Sequence, residues 1–89
     1  MASPVQMSLF PLCTYMRRIH PEKNEWRYYA MTVQPDLFGG AALLRRWGRI
    51  GSEGTTRLDL YTNEGEAANA LAALVRHRKK RGYQVISCG

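Results

Sequence analysis

The hydrophobic pattern of this chain changes period once, at Asn63, and that change limits the folds open to it. Before Asn63 the chain reads in steps of two. The segment WRYYAMTVQ, residues 26–34, is rich in aromatic and branched side chains. Alternation puts Tyr29, Met31 and Val33 on one face and Trp26, Tyr28, Ala30 and Thr32 on the other. Further strand patterns run over 12–19, 42–50 and 55–60, separated by the charged turn HPEKNE, the loop PDLFGG and the connection GSEG. The connections are short, so consecutive strands are expected to pair antiparallel. After Asn63, in EGEAANALAALVRHRKKRG, residues Ala67, Leu71, Leu74 and Val75 fall at helical spacing and form one narrow apolar stripe. Asn63 is the expected N-cap, and Glu66 three residues on makes a pair like a capping box. Early acids, a basic last turn and Gly82 just beyond suit the two ends of that helix. Neither a sheet nor a one-striped helix can bury its apolar side alone. The sequence therefore predicts an α+β domain, a twisted antiparallel β-sheet with one amphipathic α-helix packed on it.

With 89 residues there is room for one core. Residues 1–11 read as a loosely ordered lead-in, 12–83 as the domain, and 84–89 as a short tail or edge strand. A domain this small has little volume for an enzyme cleft beside its core, and the motifs agree. GGAALLRRWG lacks the glycine–lysine–Ser/Thr ending of a phosphate loop. His20 and His77 do not stand at metal-site spacings from Cys13 and Cys88. No catalytic residue, metal or cofactor is assigned, and a binding role is expected instead. The start, MASPVQMSLFPLC, has neither the early positive charge nor the unbroken apolar run of a signal peptide. No apolar run approaches transmembrane length, so no membrane partner is expected. The two cysteines lie far apart and form no CxxC motif. The expectation is a cytoplasmic protein with free thiols, a disulfide between Cys13 and Cys88 being the other reading.

The net charge of +6 is unevenly placed. Residues 45–57 carry four basic groups against one acidic, the chain from Arg76 onward carries five against none, and 58–75 carry only acids. Two basic clusters set apart in this way form an electrostatic footprint. Charge alone makes nucleic acid, DNA or RNA, the leading partner and sets an anionic membrane or an acidic protein behind it. The first cluster contains RRWGRIG, residues 45–51. On a strand, Arg45, Trp47 and Arg49 project from one face while Arg46 and Gly48 point to the other. An indole offers a flat surface to a base or sugar, and flanking guanidiniums can hold phosphates by paired hydrogen bonds. Such stacking contributes about 1–3 kcal/mol per base. Gly48 leaves room for a side chain or backbone to approach the strand closely. The candidate nucleic-acid-binding residues are Trp47, Arg49, Arg45 and Arg46, with Arg78, Lys79, Lys80 and Arg81 at the helix end adding attraction. Each has a competing structural explanation. Trp47 can be a core aromatic, Arg45 and Arg49 can pair with Glu53 or Asp59, and the helix end can simply be solvated. Phe38 in PDLFGG is expected to anchor its loop in the core. The same Trp/Arg surface would also serve a protein–protein interaction module.

Trp47-Gly48-Arg49, followed by Ile50-Gly51, resembles the signature of the WGR domain family. The order of elements over about residues 12–83 fits that family too: an aromatic-rich strand, the motif strand, a glycine hairpin, a strand and a helix with a basic end. The family is best known from DNA-dependent poly(ADP-ribose) polymerases. There the motif tryptophan packs on a terminal nucleotide at a DNA break, basic residues lie near the 5′ phosphate, and the motif arginine also makes contacts between domains. The resemblance implies these roles for Trp47 and Arg49, while Arg45 and Arg46 extend them by strand geometry and charge. The chain lacks the catalytic domain of those enzymes and so resembles a stand-alone WGR protein, a mainly bacterial type. Sequence-independent binding to DNA ends or breaks is the resulting expectation.

Overall fold

The computed structural model describes residues 12–36 and 38–87. Among these residues five strands form one sheet in the order β4-β3-β2-β1-β5, and every neighbouring pair is antiparallel. The strands are β1 (Cys13–His20), β2 (Glu25–Pro35), β3 (Ala41–Arg49), β4 (Thr55–Tyr61) and β5 (Gln84–Ser87). The helix α1 (Glu64–Lys80) lies between β4 and β5 in the chain and packs on β2, β3 and β4. The α+β architecture is therefore as the sequence implies.

The connections explain the order. Between β1 and β2 a short 3-10 turn, Pro21–Lys23, is closed by Asn24 in the left-handed region. It brings Ile19 opposite Trp26 and Thr14 opposite Met31. Between β3 and β4 the chain reverses through Gly51 and Gly54, both with positive φ. Here the backbone approaches closely: a Cβ on Gly48 would lie 2.8 Å from the Gly54 Cα, and one on Gly54 would collide with the Trp47 carbonyl. The Tyr28 hydroxyl ties this hairpin down by donating to the carbonyls of Ser52 and Glu53, at 3.1 and 2.9 Å.

The core lies between α1 and one face of the sheet. Met16, Tyr29, Met31, Val33, Ala41 and Leu43 come from the strands, and Ala67 and Leu71 from the helix, with Leu74 and Val75 packed beside them. The expected stripe on α1 is thus the buried one. At the helix N-terminus the Asn63 side chain accepts from the Glu66 N–H at 2.9 Å. The Glu66 carboxylate reaches back one residue further than a capping box requires and accepts from the Thr62 N–H at 3.2 Å. At the other end Gly82, with φ of 93°, turns the chain, and Gly82 and Tyr83 donate to the carbonyls of Lys79 and Arg78. That turn drops Tyr83 into the core and starts β5 beside β1.

Two expectations are corrected. Phe38 is 94% exposed and anchors nothing. Its loop is held instead by Asp36, whose Oδ1 accepts from the N–H groups of Phe38 and Gly40 at 2.6 and 3.0 Å, a local turn that needs no buried ring. Cys13 is disulfide-bonded, not a free thiol. β5 runs antiparallel to β1 with Ser87 against Tyr15. Cys88, the other cysteine, lies outside the described residues, as do residues 1–11. The thiol argument for a reducing compartment falls with this bond. No helix among the described residues is long and apolar enough to cross a membrane.

Candidate nucleic-acid interface

On the helix-facing side of the sheet, residues pair across strands in successive rungs, and the character of the rungs changes along the sheet. Val33 and Leu43 make a rung that is apolar until Asp59 at its β4 end, and the next carries Thr14, Met31, Arg45 and Arg57. The third carries Met16, Tyr29, Trp47 and Thr55, and the fourth Arg18, Arg27 and Arg49. α1 covers the apolar end. Its last turn reaches the third rung, where the Arg78 guanidinium lies 4.1 Å from the centre of the Tyr29 ring. A Cβ on Gly82 would stand 3.7 Å from the Arg18 Nε, so the turn after the helix abuts the fourth rung. The sheet therefore passes from core to cationic surface where the helix stops.

Tyr29 organises the boundary. Its ring is stacked with that of Trp47, with centroids 5.6 Å apart and planes 12° off parallel, and meets Tyr83 edge-on at 6.3 Å. Its hydroxyl accepts from Arg45 at 3.2 Å. Trp47 is consequently half-buried, packed against the core on the Tyr29 side and partly exposed beyond it.

The eight residues singled out by sequence divide into four groups. Arg45 is 14% exposed and held by Asp59 at 3.0 Å and by Tyr29. Burial works against its charge, but the Tyr29 hydroxyl and the Asp59 carboxylate outweigh it and hold its pKa above the ordinary arginine value. The same Asp59 pairs with Arg57 at 2.9 Å. Trp47 and Arg78 are brought together through Tyr29, although 31 positions separate them in the chain. Arg49 is exposed and rests on Asn24, donating to its carbonyl at 3.4 Å and to its Oδ1 at 3.3 Å. Arg46, on the opposite face of the sheet, is exposed, as are Lys79, Lys80 and Arg81 around the helix end.

Sequence reasoning missed Arg18 and Arg27. Arg27 stands between Arg18 and Arg49 in one rung, so three guanidiniums share adjacent strands. Like charges directly opposite across strands are destabilising, by about 0.2–1 kcal/mol per pair. Glu25 offsets part of this, with oxygens 3.5 Å from Arg18 and 3.8 Å from Arg27. No carboxylate pairs with Arg49 among the described residues. The rung and the β1–β2 turn enclose a pocket of about 360 Å³ lined by Arg18, Lys23, Asn24, Glu25, Trp26, Arg27 and Arg49. Four cations and one carboxylate give it a net positive charge. Among the described residues the buried Nε of Arg78 has no hydrogen-bond partner, and that of Arg18 has only its ion pair with Glu25. The signal for this rung was present in the sequence, since Arg18 and Arg27 lie equally far from the centre of the HPEKNE turn. No group of three or more metal-ligating side chains occurs among the described residues.

An antiparallel sheet with one helix across part of one face, and a half-buried indole beside guanidiniums where that helix ends, define a small α+β domain with an aromatic and basic surface. The chain belongs to the WGR domain family, whose profile matches residues 12–88. The family is generally linked to nucleic-acid binding. The chain is also similar to an uncharacterized protein of Sinorhizobium fredii, y4dW, at 42% identity over 74 residues. The match takes in 83% of this chain and 36% of that protein, so the chain spans about a third of the relative's length. No solved structure matches it.

Proposed function

We propose that this domain is a non-catalytic module that binds DNA ends without reading base sequence. The observation that supports it is the Arg18–Arg27–Arg49 rung beside Trp47. Three guanidiniums that share one carboxylate, next to a partly exposed indole, match what a terminal nucleotide offers, a phosphate and a flat base or sugar. In this reading Trp47 stacks on the end, and Arg49 with Arg27 holds phosphate. Arg45 and Arg78 brace the aromatic pair from either side. Lys79, Lys80 and Arg81 supply longer-range attraction, and Arg46 reinforces it from the far face. Arg45 acts as a positioning residue, because its guanidinium is already committed to Asp59 and Tyr29.

The test is an anisotropy titration of a short blunt duplex carrying a 5′ phosphate, repeated over a range of salt. Neutralising about four phosphates gives a slope of log affinity against log salt of roughly −3 to −4. Trp47→Ala is expected to weaken binding to ends by the equivalent of about 1–3 kcal/mol, and to closed circular DNA much less. Equal losses on both substrates would remove the stacking role. Absence of binding at low salt would turn the same surface over to a protein partner, and a preference for single-stranded RNA would change the nucleic acid.

A further inference from the structure

Among the described residues β4 is an outer strand, with no other strand paired to one side of its backbone. Outer strands of soluble proteins are usually blunted by charged side chains, lysines above all, by prolines, by bulges or by extreme shortness. β4 has seven residues, TTRLDLY, with no lysine and no proline, and its pairing with β3 runs unbroken from Thr55 to Tyr61. On the face away from α1 it carries Leu58, 52% exposed, and Leu60, 67% exposed, with Leu58 directly beside Leu44. Charge is the one such device it has, Arg57 and Asp59 on the other face, and these are opposite in sign and joined at 2.9 Å, so they cancel rather than repel a second copy.

Laid antiparallel against itself about Leu58, this strand is self-complementary. Leu58 meets Leu58, Arg57 meets Asp59 on each side of the axis, and Leu60 meets Thr56. The register is also distinguished from its neighbours. A slip of one residue would set the two helix-bearing faces on opposite sides of the joined sheet. The two nearest registers that keep the faces aligned place Arg57 against Arg57 or Asp59 against Asp59, both penalised by like charge. The opposite edge, β5, offers four residues among those described, Gln84–Ser87.

We propose that β4 is the docking edge for a second copy of this chain, giving a two-fold dimer with one continuous ten-stranded sheet. A two-fold interface presents the same patch from both partners, which is the property this strand has. Four charges, two Arg57 and two Asp59, alternate around the axis on the helix side, and the leucines cover it on the other. The inference is independent of any nucleic acid, since Trp47 and the arginine rung stand on strands further into the sheet.

The test is sedimentation equilibrium of the full chain up to about 1 mM, a range that reaches weak association. The expected result is a mass rising to twice 10.1 kDa with concentration. Leu58→Lys, which places two ammonium groups on the axis, is expected to leave a monomer throughout. Arg57→Glu, which faces Asp59 with a like charge, is expected to raise the dissociation constant at least about tenfold. Ile86→Lys on β5 is expected to change nothing. Should far-UV circular dichroism show Leu58→Lys unfolded, Arg57→Glu decides. A wild-type monomer at every concentration, or a dimer that survives Arg57→Glu, would overturn the proposal.

Discussion

Tyr29 is almost wholly buried, yet it fixes the position of three groups at the surface: the Trp47 indole by stacking, Arg78 over its ring, and Arg45 through its hydroxyl. A guanidinium over an aromatic face contributes about 0.5–2 kcal/mol, more as water is excluded. Arg27 has the contrary character. It stands between two other arginines and gains only a distant oxygen of Glu25. Arg27→Gln should therefore stabilise the free domain by roughly 0.2–1 kcal/mol in urea denaturation. The same change should weaken binding of the 5′-phosphorylated duplex and flatten its salt slope by about one unit. A variant that loses stability and affinity together would mean that Arg27 is structural. At this scale the sequence was only half readable. Alternation along one strand is enough to align Arg45, Trp47 and Arg49, but the rung of Arg18, Arg27 and Arg49 exists only once two hairpin registers are known. The partnership of Arg45 with Asp59 likewise depends on how β4 folds back on β3.

The elements themselves were closer to the surface of the sequence. The alternation in WRYYAMTVQ places Tyr29, Met31 and Val33 in the core as expected. The strands begin or end a residue away from the periodic pattern, because hydrogen bonding continues to Pro35 and Ala41 after the alternation has stopped. The helix was readable at both ends, since caps are local chemistry. Asn63→Ala should destabilise the domain by about 0.5–2 kcal/mol in urea denaturation, as for other N-caps. It should leave duplex affinity unchanged, because the cap lies at the end of α1 remote from Arg78. A parallel loss of affinity would indicate that the helix shifts bodily when its start frays. The Phe38 loop was not readable. A large apolar side chain suggests an anchor, while the determining group is the small Asp36 carboxylate that closes the turn.

Across the whole molecule, the fold and the proposed function draw on different letters of one short motif. Gly48 has no room for a Cβ because the Gly54 backbone crosses it, and Gly54 has none because the Trp47 carbonyl and the Tyr28 hydroxyl close on it. Arg49, in contrast, is exposed and makes only two long hydrogen bonds to Asn24. If residues 45–54 were randomised together and the library sorted for folding alone, by survival to protease for example, two groups of positions should separate. Gly48 and Gly54 should return nearly invariant, and Trp47 should return as aromatic or bulky residues that still cover Tyr29. Position 49 should drift freely. Sorting the same library for duplex binding should then restore arginine at 49 and leave the glycines as they were. A recovered sequence carrying tryptophan and glycine but no arginine would thus report a domain that has kept its shape after losing the ligand proposed for it.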